Sequence, residues 1–244
     1  MTHREVIWHD VENGSYAADL ELWGELAADA DGPILDLGAG TGRVARDLHA
    51  AGHEVHALDS DPKLLAALRE RAPGVTTITD DARTFSAAQR FALILAPMQL
   101  VQILGGPAAR LAMLERVHAH LDQGGTFAAA LADAHAAIPG GEARLPGAAP
   151  EPPMPDMLER DGWVFASQPV AVREQNGHVV VTRRRQAVSP RGALEQETVE
   201  IALDVVSVEE VEQEARLAGL TPVERRQIAE TTDHIGSTVV VCRR

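Results

Sequence analysis

The chain has 244 residues, 45% hydrophobic, 24% charged and only 3% aromatic, with a formal net charge of −14 from 36 acidic and 22 basic side chains. That length carries one α/β domain with a good core, or at most two small domains. The acidic surface repels a phosphate backbone and so few rings leave little for bases to stack on, which argues against a nucleic-acid partner.

A lone cysteine, Cys242, rules out a disulfide framework or a cysteine-based zinc site within one chain, and no metal-ligand set is read. The N-terminal MTHREVIWHDVENG lacks an apolar signal core, and the longest apolar run, FALILAPM (91–98), is too short to span a bilayer. A cytoplasmic protein with no membrane partner is expected.

In chain order, 17–30 places Leu20, Trp23, Leu26 and Ala27 at helical spacing, and Asp31-Gly32-Pro33 stops that helix. A short strand follows at 33–37, then a helix over 41–52 with Gly52 as its C-terminal cap. The pattern repeats: strand 53–59, helix 61–72 with Pro62 near its start, strand 75–79, strand 91–96, helix 110–121 and strand 126–132. The apolar FALILA (91–96) suits a strand buried on both faces. Strands alternating with helices at this spacing predict a parallel sheet, with a ligand beyond the C-terminal strand ends.

The second half changes character. Residues 139–155 hold six prolines and three glycines, which predicts a loop or lid. Segments 163–174, 178–188 and 197–207 read as strands separated by the turns EQNG and SPRG, hence antiparallel. A helix over 207–220 with acids in its first turn and a strand over 237–244 complete the chain. The expected organisation is a single domain, 1–244: an N-terminal helical cap (1–32), a binding core (33–133), a loop and antiparallel insertion (134–206), and a closing helix and strand (207–244).

DLGAGTGR (36–43) follows the first core strand. A dinucleotide fingerprint needs Gly-x-Gly-x-x-Gly, but its last position here is Arg43, and no Gly-Lys-Ser/Thr follows for a P-loop. Asp36, two residues before Gly38, is a poor neighbour for a pyrophosphate and a good one for an ammonium group.

Ile34-Leu35-Asp36-Leu37-Gly38-Ala39-Gly40-Thr41-Gly42 resembles the first motif of the class I S-adenosylmethionine-dependent methyltransferases, small-molecule type. The resemblance is strong over 33–62 and thin after 133. It implies a Rossmann-like α/β fold: a seven-stranded mostly parallel sheet with helices on both faces, plus the antiparallel strand insertion. It also implies S-adenosylmethionine as cofactor, with S-adenosylhomocysteine as product. Asp36 and the backbone of Gly38, Ala39, Gly40 and Gly42 would then meet the cofactor's amino-acid end and nucleoside. Asp59, 21 residues after Gly38, would take the ribose hydroxyls with Ser60 beside it, while Asp61 caps the next helix. Asp81 and Ala82 would hold the adenine, the alternative being a solvated Asp80-Asp81 turn. Ala96, at the head of Ala96-Pro97-Met98-Gln99, stands where the family lines both cofactor and acceptor sites. Phe91-Ala92 departs from the family's frequent Phe-Asp.

Trp8-His9-Asp10 through Tyr16 resembles the helix that closes over the cofactor in small-molecule members. Tyr16 is expected to bond the cofactor's methionine end or the acceptor, or else to pack under a helix. Arg43 either reaches the cofactor carboxylate or sits on a first helical turn. No catalytic group is assigned; the candidates are His9 as a base and Gln99 to orient the acceptor. Arg183-Arg184-Arg185 either lines an anion pocket on one face or, as favoured, pairs with acids on a solvated sheet face. The absence of an Asn/Asp-Pro-Pro-aromatic motif, the terminal position of Cys242 and the acidic charge leave a small-molecule N or O acceptor as the leading reading, with in-line methyl transfer, and a peptide or protein terminus as the other acceptor left open. The alternatives are an NAD-dependent oxidoreductase and a catalytically silent S-adenosylmethionine-binding protein.

Overall fold

The computed structural model describes residues 3–132, 154–231 and 234–244. Two helices, α1 (Arg4–Asn13) and α2 (Leu20–Ala28), precede an alternating run. This is β1 (Ile34–Leu37), α3 (Arg43–Ala50), β2 (Val55–Asp59), α4 (Pro62–Arg71), β3 (Thr76–Thr79), β4 (Phe91–Ala96), α5 (Leu100–Ile103), α6 (Pro107–His120) and β5 (Leu121–Ala132). Then come β6 (Asp156–Arg160), β7 (Trp163–Gln175), β8 (His178–Val188), β9 (Leu194–Asp204), α7 (Val208–Leu217), β10 (Thr221–Ile228) and β11 (Ser237–Arg243).

Local chemistry accounts for these boundaries. Pro62 opens α4 and the Asp61 carboxylate accepts from Lys63 N–H at 2.8 Å, so Asp61 is the helix cap. Ser207 and Glu210 form a reciprocal capping box at the start of α7. In α3, Val44, Ala45 and Leu48 share one buried stripe, which packs the helix on the sheet.

Seven strands form one sheet in the order β10-β11-β5-β4-β1-β2-β3. β1 to β5 run parallel, and β11 runs antiparallel to both β5 and β10. The chain leaves β1 toward β2 and β3 on one side, then returns to β4 and β5 on the other. The register sets Asp36 beside Ala57 and Leu95, and Asp59 beside Thr79, so four C-terminal strand ends open together at the reversal of strand order. One hydrophobic cluster, with Phe85, Phe91 and Phe127, fills one face; another, with Trp23, Leu48 and Leu65, fills the other.

The Rossmann-like seven-stranded sheet with an antiparallel insertion is therefore present, and three elements differ from expectation. β10 and β6 were not anticipated. β10 is an edge strand paired only with β11, and of its TPVERRQI only Ile228 is buried, so it shows no alternation. β5 begins at Leu121, five residues earlier than its apolar part. The proline-rich 139–155 segment falls, save for its last two residues, outside the described residues.

The second sheet, β6-β7-β8-β9, is antiparallel throughout. α1 packs between it and α4, with Trp8 edge-on to Phe165 at 5.4 Å. Two α1 carboxylates make the polar ties. Asp10 accepts two bonds from Arg71 (2.7 and 2.6 Å), one from Arg160 (3.2 Å) and one from the Thr41 hydroxyl (2.8 Å). Glu12 accepts two from Arg185 (2.7 and 2.8 Å) and one from the Ser167 hydroxyl (2.7 Å), with Arg183 at 3.5 Å. The arginine run thus pairs with acids, as favoured, but Arg183 and Arg185 do so half-buried beneath α1 rather than on a solvated face. Arg184, on the opposite face, donates to Gln168 Oε1 at 2.8 Å.

Burial by itself would raise the Asp10 and Glu12 pKa values; hydrogen bonds from Arg71 and Thr41, and from Arg185 and Ser167, outweigh it and hold both below the ordinary carboxylate range. A lowered folded-state pKa contributes stability that is present above the unfolded value and lost as pH falls through the folded one. The melting temperature should therefore fall steeply below about pH 4. Glu12→Gln, leaving Arg185 and Arg183 short of a partner, should cost about 3 kcal/mol at pH 7 and flatten that acid limb, both read from thermal melts against pH.

Candidate active site

A cavity of about 470 Å³ opens where the strand ends converge. Its floor is Asp36, Gly38 and Ala39 after β1; one side is Leu58, Asp59 and Ser60 after β2, with Asp81, Ala82 and Arg83 after β3. Pro97, Met98, Gln99 and Leu100 follow β4 on the other side. His9 and Asn13 of α1 cover it, and Ile103, Leu104 and Ile201 close the far wall.

Asp36 is 1% exposed. Its Oδ2 accepts from Ala45 N–H at 3.1 Å, while Oδ1 has no hydrogen-bond partner. Burial pushes its pKa up to about 7, against the pull of Arg43 and the Ala45 N–H. An unpaired buried carboxylate oxygen on a cavity wall calls for a cation or a strong donor from the ligand. The turn above it is glycine by necessity: Gly38 has φ +67°, and a Cβ there would stand 2.9 Å from the Leu100 side chain.

The glycine turn is braced from below by Asp59, whose Oδ2 accepts from Gly40 N–H and Oδ1 from Asp61 N–H, each at 2.8 Å. Asp59, not Asp61, faces the cavity. Asp81 is held by Arg83, with Nε at 2.9 Å and Nη2 at 2.5 Å, and those bonds lower its pKa.

Of the residues singled out in the sequence, His9, Asp36, Gly38, Ala39, Arg43, Asp59, Ser60, Asp81, Ala82 and Gln99 meet on this one cavity. Four others stand back from it. Tyr16 lines an adjoining hollow with Thr41 and Arg71, its ring 5.1 Å beneath the Arg43 guanidinium. Gly40 and Gly42 turn their Cα atoms toward His9 and Leu68, and Ala96 is buried in the sheet. The Arg43 guanidinium is committed to Asp19 (2.5 and 2.7 Å) and the Tyr16 carbonyl (3.0 Å).

Residues missed in the sequence form the apolar end. Leu100, Ile103 and Leu104 fall at helical spacing on and just after α5, a signal too short to stand out from core periodicity. Ile201 arrives from β9 through tertiary structure alone. Met98 has φ +55°, a left-handed conformation that is strained for a residue with a Cβ. Burial pushes the Cys242 thiol up to about 12, too high for a nucleophile.

A central β1 with a glycine turn at the reversal of strand order, and an antiparallel seventh strand, make up a Rossmann-like fold that solved methyltransferases share. Residues 34–125 match the family model described as a methyltransferase domain. Among solved structures, the sugar N-methyltransferase KedS8 from Streptoalloteichus is 15% identical with a TM-score of 0.75, covering 99% of this chain and 92% of its own. The CcbJ methyltransferase from Streptomyces caelestis is 22% identical with a TM-score of 0.71, covering 100% and 98%. The amino pentose methyltransferase CalS10 from Micromonospora echinaspora, solved with SAM bound, is 20% identical with a TM-score of 0.71, covering 99% and 98%. At these identities the likeness is one of fold. No curated protein matches the chain by sequence.

A carboxyl whose folded pKa is raised contributes stability below its unfolded value of 3.8, which is lost as pH rises through about 7. Asp36→Asn keeps an acceptor for the Ala45 N–H and removes the buried charge. In ligand-free protein it should raise stability at pH 8 by on the order of 1–2 kcal/mol, with the gain shrinking as pH falls and vanishing only near the unfolded value of 3.8, measured by denaturant titration across that range.

Proposed function

We propose that this chain is an S-adenosylmethionine-dependent methyltransferase acting on a nitrogen or oxygen of a small molecule. The observation that carries the reading is the unpaired Oδ1 of Asp36 beside a glycine turn that a Cβ would block. That arrangement fits a ligand with an ammonium group and a body lying close over the backbone. Asp36 would receive the ammonium end, Asp59 and Ser60 the ribose, and Asp81 with Ala82 the adenine. The match to a methyltransferase domain over residues 34–125 supports this reading over the oxidoreductase alternative.

When bound, the cofactor supplies an activated methyl group and its own leaving group, so the protein's work is alignment and exclusion of water. Gln99, just past β4, would orient the acceptor by hydrogen bonding, and the wall of Leu100, Ile103, Leu104 and Ile201 would hold its apolar body. That wall disfavours a charged ammonium, so an amine acceptor would react there as its free base. The structural neighbours KedS8 and CalS10 are a sugar N-methyltransferase and an amino pentose methyltransferase, which makes amino sugars the first acceptors to try.

Titration calorimetry with S-adenosylhomocysteine and with NAD tests the cofactor: binding of the first and not the second is expected, and the reverse would sink the reading. Asp36→Asn should weaken S-adenosylhomocysteine by about 10- to 100-fold, or about 1.4–3 kcal/mol. Because the free carboxyl titrates near 7, binding at pH 6.5 should release a large part of one proton, seen as a buffer-dependent heat that Asp36→Asn abolishes. Transfer of labelled methyl to a panel of neutral amines and amino sugars then separates an enzyme from a silent binder.

A further inference from the structure

His9 reaches the cavity from α1 through a hydrogen-bond chain that determines where its proton sits. Asp10 accepts from Arg71, Arg160 and Thr41, and those bonds keep it ionised, so it is an acceptor only. The Thr41 hydroxyl, 2.8 Å from Asp10 Oδ1, therefore spends its single proton on that carboxylate. His9 Nδ1 lies 3.2 Å from the same hydroxyl oxygen and must be the donor in that bond. The neutral ring, its pKa lowered by burial against the opposing pull of Asp59 and Asp10, consequently carries its free lone pair on Nε2.

Nε2 sits over the glycine turn: a Cβ at Gly40 would be 2.1 Å from it. The Gly40 N–H beneath is already given to Asp59 Oδ2. Nε2 has no hydrogen-bond partner among the described residues. Two acceptors, the Nε2 lone pair and the Asp59 carboxylate, thus stand close to Gly40, and both residues line the cavity.

Resting on the methyltransferase reading above, we propose that His9 is a cofactor-binding residue: its Nε2 accepts a hydrogen bond from a nucleoside hydroxyl alongside Asp59, and Thr41 and Asp10 are positioning residues that lock the tautomer. No proton changes hands, and His9 is not the general base its presence near the site suggests. The glycine at 40 follows from the same contact, since any side chain would displace the ring.

The tautomer is measured first, without cofactor, by 15N NMR of imidazole-labelled protein, with the His9 signals identified by their loss in His9→Phe. A protonated Nδ1 and unprotonated Nε2 are expected, with Thr41→Val giving mixed tautomers. An unprotonated Nδ1 in the parent protein overturns the proposal. Binding is measured next by calorimetry with S-adenosylhomocysteine and its 2′- and 3′-deoxy analogues. His9→Phe should lose about tenfold for the parent ligand and little for the analogue lacking the bonded hydroxyl, and Thr41→Val should lose a smaller part. An equal loss for all three ligands means that His9 acts only by packing, and no loss means that it does not touch the ligand; either overturns the proposal. Failure of the unaltered protein to bind S-adenosylhomocysteine at all would instead remove the cofactor reading itself.

Discussion

The site depends on a buried carboxylate at the point where the sheet reverses direction. Asp36 lies on β1, the strand flanked by β2 and β4, and its side chain is almost wholly buried at the floor of the cavity. One of its oxygens accepts the Ala45 N–H in the first turn of α3, where the helix dipole favours negative charge. The other has no partner. A domain does not keep an unsatisfied buried acid for stability, because burial opposes its charge. The arrangement makes sense as a site completed by a ligand, and the glycine turn, the brace from Asp59 and the opening between strand ends all sit around it.

α1 supplies a second constraint. The helix rests on two surfaces at once: the seven-stranded domain through Thr41 and Arg71, and the four-stranded sheet through Arg160, Arg183, Arg185 and Ser167. Asp10 is shared between the two. The carboxylates and arginines that could have formed a charged binding face are spent on this join. What α1 presents to the cavity is uncharged: a neutral imidazole and the Asn13 side chain.

The acceptor end is shaped by backbone strain and by a side-chain clamp. Met98 holds a left-handed conformation immediately after β4, turning the chain away from the sheet and into α5. Gln102, buried in α5, donates to the Ala132 carbonyl and accepts from the Ala132 N–H, both at 3.0 Å, which fixes α5 to the end of β5. Leu100 of the same short helix packs over Gly38, so the apolar wall and the glycine turn keep a fixed separation.

Much of this was legible in the residues. The alternation of strands and helices through residue 132 predicted the parallel sheet, because apolar period and turn residues are local properties of the chain. The spacing of Asp36, Asp59 and Asp81 predicted three acids at adjacent strand ends, since each stood at or just past the end of a strand whose partner was implied by its neighbours. β10 was hidden because an edge strand buries little and shows no pattern. The commitment of Arg43 to Asp19, the seating of Arg183 and Arg185 under α1, and the arrival of Ile201 at the cavity were beyond reach for a different reason. Each joins residues far apart in the chain, and only the packing of helix on sheet decides which charges meet and which face the cavity. The sequence by itself determined the order of elements and the acids at their ends. The tertiary structure decided which of those groups remain unpaired, and so which are left for a ligand.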